Sequence, residues 1–128
     1  MDWMLMPLRR YADFSGRSRR KEYWMFQLLL LLVYVPLIVL MGIGMAMGTR
    51  DHPSALFFLA LVVLALVGLA AIIPCLAVQV RRFHDQDKSG WFVLLGFIPY
   101  VGNLIVLVFM CLRGTPGANR FGPDPLQQ

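Results

Sequence analysis

"WFVLLGFIPYVGNLIVLVFMCL", residues 91–112, carries no charged side chain. One α-helix needs about 20 apolar residues to cross a ~30 Å hydrocarbon core, so the stretch is long enough for a span. Pro99 and Gly102 interrupt it near the middle. Proline removes a backbone donor and glycine weakens a helix interior. Two threadings follow: a third full span, or a re-entrant hairpin turning between Pro99 and Asn103. In the hairpin, Trp91–Ile98 would make only about 12 Å of helix. Non-helical backbone at that depth must also be shielded by protein. Length therefore favours three full spans over the hairpin.

Two more uncharged runs lie upstream, at about 24–48 and 53–80. Charged residues are 15% of the chain, against roughly 25% in soluble domains. A chain of this length cannot bury three such runs in a soluble core. The runs are continuously apolar and not alternating, which points to helices and away from a barrel. The expected fold is an all-α integral membrane protein. It has three hydrophobic helical segments, the third broken near Pro99, and a short N-terminal interfacial helix. One membrane domain, 1–128, would comprise a basic amphipathic N-terminus (1–23), the segments 24–48, 53–80 and 91–112, and a Gly/Pro-rich tail (113–128). Met4, Leu8 and Tyr11 recur at helical spacing, so the interfacial helix is expected to start near Pro7, with Gly16 turning the chain after it. The basic leader is too long for a signal peptide, and a retained signal anchor is expected.

The cations orient the chain. With three full spans, nine Lys and Arg residues flank the N-terminal side and Arg50, Arg113 and Arg120 the other. With the hairpin, only Arg50 is on the far side. Either way the positive-inside rule places the N-terminus in the cytoplasm.

The loop "QVRRFHDQDKSGWF", 79–92, concentrates Arg81, Arg82, His84, Asp85, Asp87 and Lys88. Arg81 and Asp85 are spaced to pair along a helix. Topogenic cations explain part of the loop, but not His84, Asp85 and Asp87 together. The sharper reading joins Arg17, Arg19, Arg20 and Glu22 to Arg81, Arg82, His84 and Asp85 in a charged cluster at the membrane surface, suited to phosphate-bearing headgroups. One histidine and two acids within four residues is poor zinc spacing. No nucleophile–base pair and no phosphate-cradling glycine loop occurs, and no cofactor is expected. Cys75 and Cys111 sit in apolar runs. The absence of ionisable groups within the spans argues against a proton-coupled transporter acting alone. Gly44 and Gly48 form a small-xxx-small face suited to helix packing or self-association. The basic residues flank the membrane runs, so anionic lipid is the expected partner and nucleic acid is not.

The segments "DFSGRSRRKEYWMF", "AVQVRRFHDQDKSGWF", "IPYVGNLIVLVFMC" and "GTPGANRFGPDP" occur in this order. Together they resemble the YhaH/YhaI-type family of small bacterial inner-membrane proteins, domain of unknown function 805. The resemblance covers nearly the whole chain and is weakest over about 28–76. It implies a bacterial inner-membrane location and no assigned activity. Its motif positions fall on Gly16, Arg17, Arg19, Arg20, Glu22, Tyr23 and Trp24, then on Arg81, Arg82, His84, Asp85 and Trp91. In the third segment they fall on Pro99 and Gly102. In the tail they include Gly114, Asn119, Arg120, Gly122, Asp124 and Pro125. The resemblance thereby adds Asn119 and Arg120 to the interaction cluster and makes the tail part of the signature, where composition alone would leave it disordered. The expected function is non-enzymatic, with a charged face that binds lipid headgroups or a partner protein. The alternative is a subunit of a transport or export assembly, in which self-association or a membrane partner would use the small-residue face.

Overall fold

Pro99 and its neighbours divide the decisive stretch in two. In the computed structural model, which describes residues 2–127, Gly90–Phe97 is a 3₁₀ helix and Gly102–Cys111 an α-helix. Between them the chain reverses. Tyr100 takes a left-handed φ of 66°, and the Val101 and Gly102 amides bond back to Pro99 and Ile98 at 2.7 and 3.0 Å. Gly102 makes the reversal possible. A Cβ there would stand 2.0 Å from the Leu95 carbonyl oxygen. The returning end is tied down: Leu112 O accepts from Arg82 Nη2 at 2.7 Å, and the Thr115 amide donates to Asp85 O at 2.7 Å. Both ends of the third segment therefore lie beside the last turns of the preceding helix. The three expected hydrophobic segments are present: two long helices, and a third segment broken near Pro99 into two short ones. Eight residues of 3₁₀ helix and ten of α-helix reach only about 15 Å each, half of a hydrocarbon core.

In chain order the helices are α1 (Asp2–Arg9), α2 (Arg20–Met47), α3 (Ala55–Asp85) and α4 (Gly102–Cys111), with a final 3₁₀ turn at Pro125–Gln127. Among the described residues the only β pairing is an isolated bridge, Asn119 with Gly122. α2 and α3 are long and apolar enough to cross a membrane. The interfacial helix begins at Asp2 and not near Pro7, which sits inside α1 and is fully buried. In so short a helix a proline so near the start removes only one bond, the one it would donate four residues back. Gly16 turns the chain with φ 80°.

The chain forms two compact units. One is Gln27–Ile72, the later part of α2 and the earlier part of α3; the other joins residues up to Phe26 with those from Ile73 onward. The Gln27–Ile72 unit is an apolar helical hairpin. Its turn is closed by Ser54, whose amide and hydroxyl both donate to Gly44 O, at 3.2 and 2.7 Å. A Cβ on Gly44 would lie 2.3 Å from the Phe57 amide nitrogen, and one on Gly48 2.5 Å from His52 O. The small-residue face is thus used inside the hairpin, where it lets the two backbones meet. Leu31, Leu32, Ile38, Leu59, Leu66 and Leu69 all point outward.

The other unit has a mixed core. Phe26, Ala77, Val78, Phe83 and Met110 are fully buried. Phe83, Phe92 and Phe109 form a ring cluster with centroids 5.7–6.3 Å apart. Against this apolar floor lie Arg81 and Arg82, the two largest fully buried side chains.

Candidate functional site: a buried charge cluster and its cationic rim

The apolar run of α3 ends near Val80, but the helix continues to Asp85. That extra turn carries Arg81, Arg82, His84 and Asp85 into the unit's interior. Glu22 enters from the first turn of α2. Arg17 and Arg19 stand before that helix, in the extended segment leading into it.

Two carboxylates organise the cluster. Glu22 accepts from Arg81 Nη2 at 3.0 Å. Asp85 takes Arg17 Nε on Oδ1 at 3.0 Å and Arg82 Nη1 on Oδ2 at 2.6 Å. The expected Arg81–Asp85 pair does not form. Arg81 turns to Glu22 and Ser18 Oγ, and Asp85 pairs with the residue three before it. Side-chain exposure of Arg17, Arg81 and Arg82 is 2%, 0% and 0%. A buried guanidinium is tolerated only when its donors are filled. Backbone carbonyls fill most of the rest. Arg17 donates to Gly117 O and Thr115 O, each at 2.7 Å. Arg82 reaches Leu112 O, and Arg81 reaches Asp13 O and Arg10 O. Arg82 Nε and Gln86 Oε1 are buried without a hydrogen-bond partner.

The tail is built on the same groups. Asn119 Nδ2 donates to His84 O and to Thr115 Oγ1, both at 2.9 Å. His84 donates from Nδ1 to Gly16 O at 3.0 Å, the carbonyl being able only to accept. Its ring stacks on Phe121, centroids 4.0 Å apart. Arg19 Nε donates to Pro125 O at 2.6 Å. Gly114 passes so close to Asp85 that a Cβ would meet Oδ2 at 2.1 Å. The tail is irregular yet docked, which composition alone would not suggest.

Two peripheral carboxylates have lowered pKa values. The Ser15 hydroxyl, then the Arg10 guanidinium, hold Asp13 far below the usual carboxylate range. The Leu126 amide, then that of Gly117, with Arg17 and Arg19 nearby, keep Asp124 below its ordinary value.

The ten residues expected to cluster divide into three groups. Arg17, Glu22, Arg81, Arg82 and Asp85 form the buried centre, and His84, Asn119 and Arg19 tie the tail to it. Arg20 and Arg120 are exposed: Arg20 donates to Cys111 O at 3.2 Å, and Arg120 pairs with Asp87 at 3.2 Å. Sequence reasoning missed Ser18, Thr115 and Gln86, and the carbonyls of Leu112, Gly117 and Pro125. Carbonyl acceptors leave no trace in residue identity, so no sequence signal marks them. Lys21 and Arg113 were read only as topogenic charges. With Arg19 and Arg20 they border a hollow on the rim of the cluster.

A family model described as a protein of unknown function, DUF805, matches residues 11–123. Inner membrane protein YhaH of Escherichia coli (strain K12) is 44% identical over 125 residues, covering 98% of this chain and 97% of that protein. Inner membrane protein YhaI of the same strain is 43% identical over 125 residues, covering 98% and 96%. No solved structure matches significantly.

Proposed function

This chain belongs to the DUF805 family, and from that premise we propose that it is a two-span inner-membrane protein, without catalytic activity, whose charged unit lies on the cytoplasmic face and binds anionic lipid headgroups. α2 leaves that face, α3 returns to it, and the 90–111 hairpin dips into the same leaflet and comes back. The observation that carries the reading is the partition of charge. Of the twelve Lys and Arg residues, the unit containing both ends of the chain holds all but Arg50. The positive-inside rule turns that asymmetry into an orientation. It also brings cations close to anionic lipid, at about 1 kcal/mol each near the surface.

The buried and exposed arginines do different work here. Arg17, Arg81 and Arg82 have their donors largely taken within the chain, so they hold the unit together. Headgroup contact falls to the exposed cations Arg20, Lys21 and Arg113, whereas Arg120 is paired with Asp87. α1 supports the same face, since Leu5, Leu8, Tyr11 and Phe14 are exposed apolar groups beside Arg9 and Arg10, the composition of an interfacial helix. The transport-assembly alternative has less support, because Gly44 and Gly48 pack against the hairpin's own turn.

Two measurements test the reading. A reporter fluorescent inside and a phosphatase active outside should both report a cytoplasmic C-terminus, and a fusion at Asp51 should report the far side. Lipid retained through mild-detergent purification should be enriched in anionic species over the bulk membrane. A periplasmic C-terminus, or retained lipid of bulk composition, would refute it.

A further inference from the structure

Most cations of the charged unit face a carboxylate or a cage of carbonyls. Three that do not lie together. Among the described residues Arg113 has neither hydrogen-bond nor carboxylate partner. Among the same residues Lys21 faces only the Trp3 ring, at 5.3 Å, and Arg20 donates only to the neutral Cys111 carbonyl. All three are exposed, and all three line one hollow of about 260 Å³. Gly114 and Leu126 also line it. Asp85 also borders it, but its two oxygens are held by Arg17 and Arg82. Arg20 is close enough to the buried Arg82 to oppose its charge. The hollow therefore concentrates positive charge that nothing among the described residues neutralises. The positive end of α2, which starts at Arg20, adds to the same potential.

We propose that this hollow is a discrete site for the phosphomonoester headgroup of a membrane lipid, a dianion, in preference to a monoanionic phosphodiester headgroup. The proposal rests on the headgroup-binding function above and narrows it to one place and one chemistry. Three unneutralised cations suit a dianion. Two of them are arginines, whose planar forks match phosphate oxygens. The modest volume suits a bare phosphate and disfavours a phosphate carrying a further substituent. Leu126, an exposed apolar side chain in the lining, gives the attached acyl chains an apolar contact beside the site.

The test titrates the purified full-length chain, in neutral detergent, with short-chain phosphatidic acid, short-chain phosphatidylglycerol, glycerol 3-phosphate and inorganic phosphate. Saturable binding of phosphatidic acid is expected, on the order of tenfold tighter than phosphatidylglycerol. Lys21→Gln with Arg113→Gln should weaken it at least roughly tenfold at an unchanged unfolding temperature. Arg113→Gln alone should give a smaller loss in the same direction. A control pair, Lys88→Gln with Arg120→Gln, removes equal charge elsewhere and should leave the affinity unchanged. Equal affinity for the two lipids, or equal loss in the control pair, overturns the discrete site while leaving diffuse headgroup attraction standing. Failure to bind either lipid overturns both readings. Inorganic phosphate or glycerol 3-phosphate binding as tightly as phosphatidic acid overturns the lipid as the ligand's source.

Discussion

The two units solve the problem of a small chain in opposite ways. Gln27–Ile72 carries two charged residues, Arg50 and Asp51, at its turn, and leaves most of its leucines and valines outward. Of the most apolar windows of α2 and α3, only 6% and 11% is buried within the chain. Its stability in lipid comes from backbone bonds satisfied inside each helix and from close contact at Gly44. The other unit buries arginines. Three guanidiniums and two carboxylates replace what would otherwise be core leucines, and backbone carbonyls of the loops complete them. Lipid can cover an apolar helix, but irregular loops need internal partners for their carbonyls. Arginine, with five donors on one planar group, can satisfy several at once. The comparison teaches that charge in this protein first organises loops and only at its rim faces outward.

The largest expected effect breaks the charged unit at its hinge of charge. Asp85→Ala would leave Arg17 and Arg82 buried without their carboxylate, costing about 3–5 kcal/mol. The tail should then be released, and protease should cut near Pro116–Arg120 in a chain that still inserts. An unchanged cleavage pattern would mean that the carbonyl cage alone suffices. Next comes a lipid-face change in the apolar unit. Leu66→Lys, on an outward side chain in mid-α3, should reduce insertion by about 2.5–3.5 kcal/mol. Leu66→Ala should be nearly silent in thermal unfolding, since no packed neighbour is lost.

Glycine substitutions compare the units at equal chemistry. Gly44→Ala and Gly114→Ala each force a Cβ into contact, on Phe57 backbone and on the Asp85 carboxylate respectively. Each should cost about 1–3 kcal/mol. The Gly114 variant should loosen the tail, measured by amide exchange at 115–122. The Gly44 variant should leave the tail protected and loosen the 48–54 turn. Loss of tail protection in both would show that the units are not independent.

The smallest effect is in pH. Asp13 and Asp124 are held below the ordinary carboxylate value of 3.8. Their contribution is present in full above that value and is lost as pH falls through their lowered folded values. Tail and α1 protection should therefore hold from neutral pH to about pH 4 and weaken only below it. Asp124→Asn should remove the tail's share of that acid sensitivity. A loss of protection starting near pH 6 would instead implicate another group.

Sequence and structure divide along physical lines. Arg17, Glu22, Arg81, Arg82 and Asp85 were legible as a group because charge bordering apolar runs is conspicuous. Their pairing was not: helical spacing suggested Arg81 with Asp85, while packing across the unit gave Arg81 to Glu22 and Asp85 to Arg17 and Arg82. The third segment shows the same limit. Its composition serves equally for a span or a hairpin, and length tipped the reading toward the span. What its composition did not show is contact between residues far apart in the chain, Arg82 with Leu112 and Asp85 with Thr115.

By itself, then, the sequence determined that this is an all-helical membrane protein whose cations border its apolar runs. Those properties follow from side-chain transfer energies, which add along the chain whatever the fold. Only the tertiary structure decided that the third segment returns, that the tail docks, and which arginines remain open to a ligand. Those properties depend on backbone carbonyls, which every residue carries alike, and on which donors reach them in space.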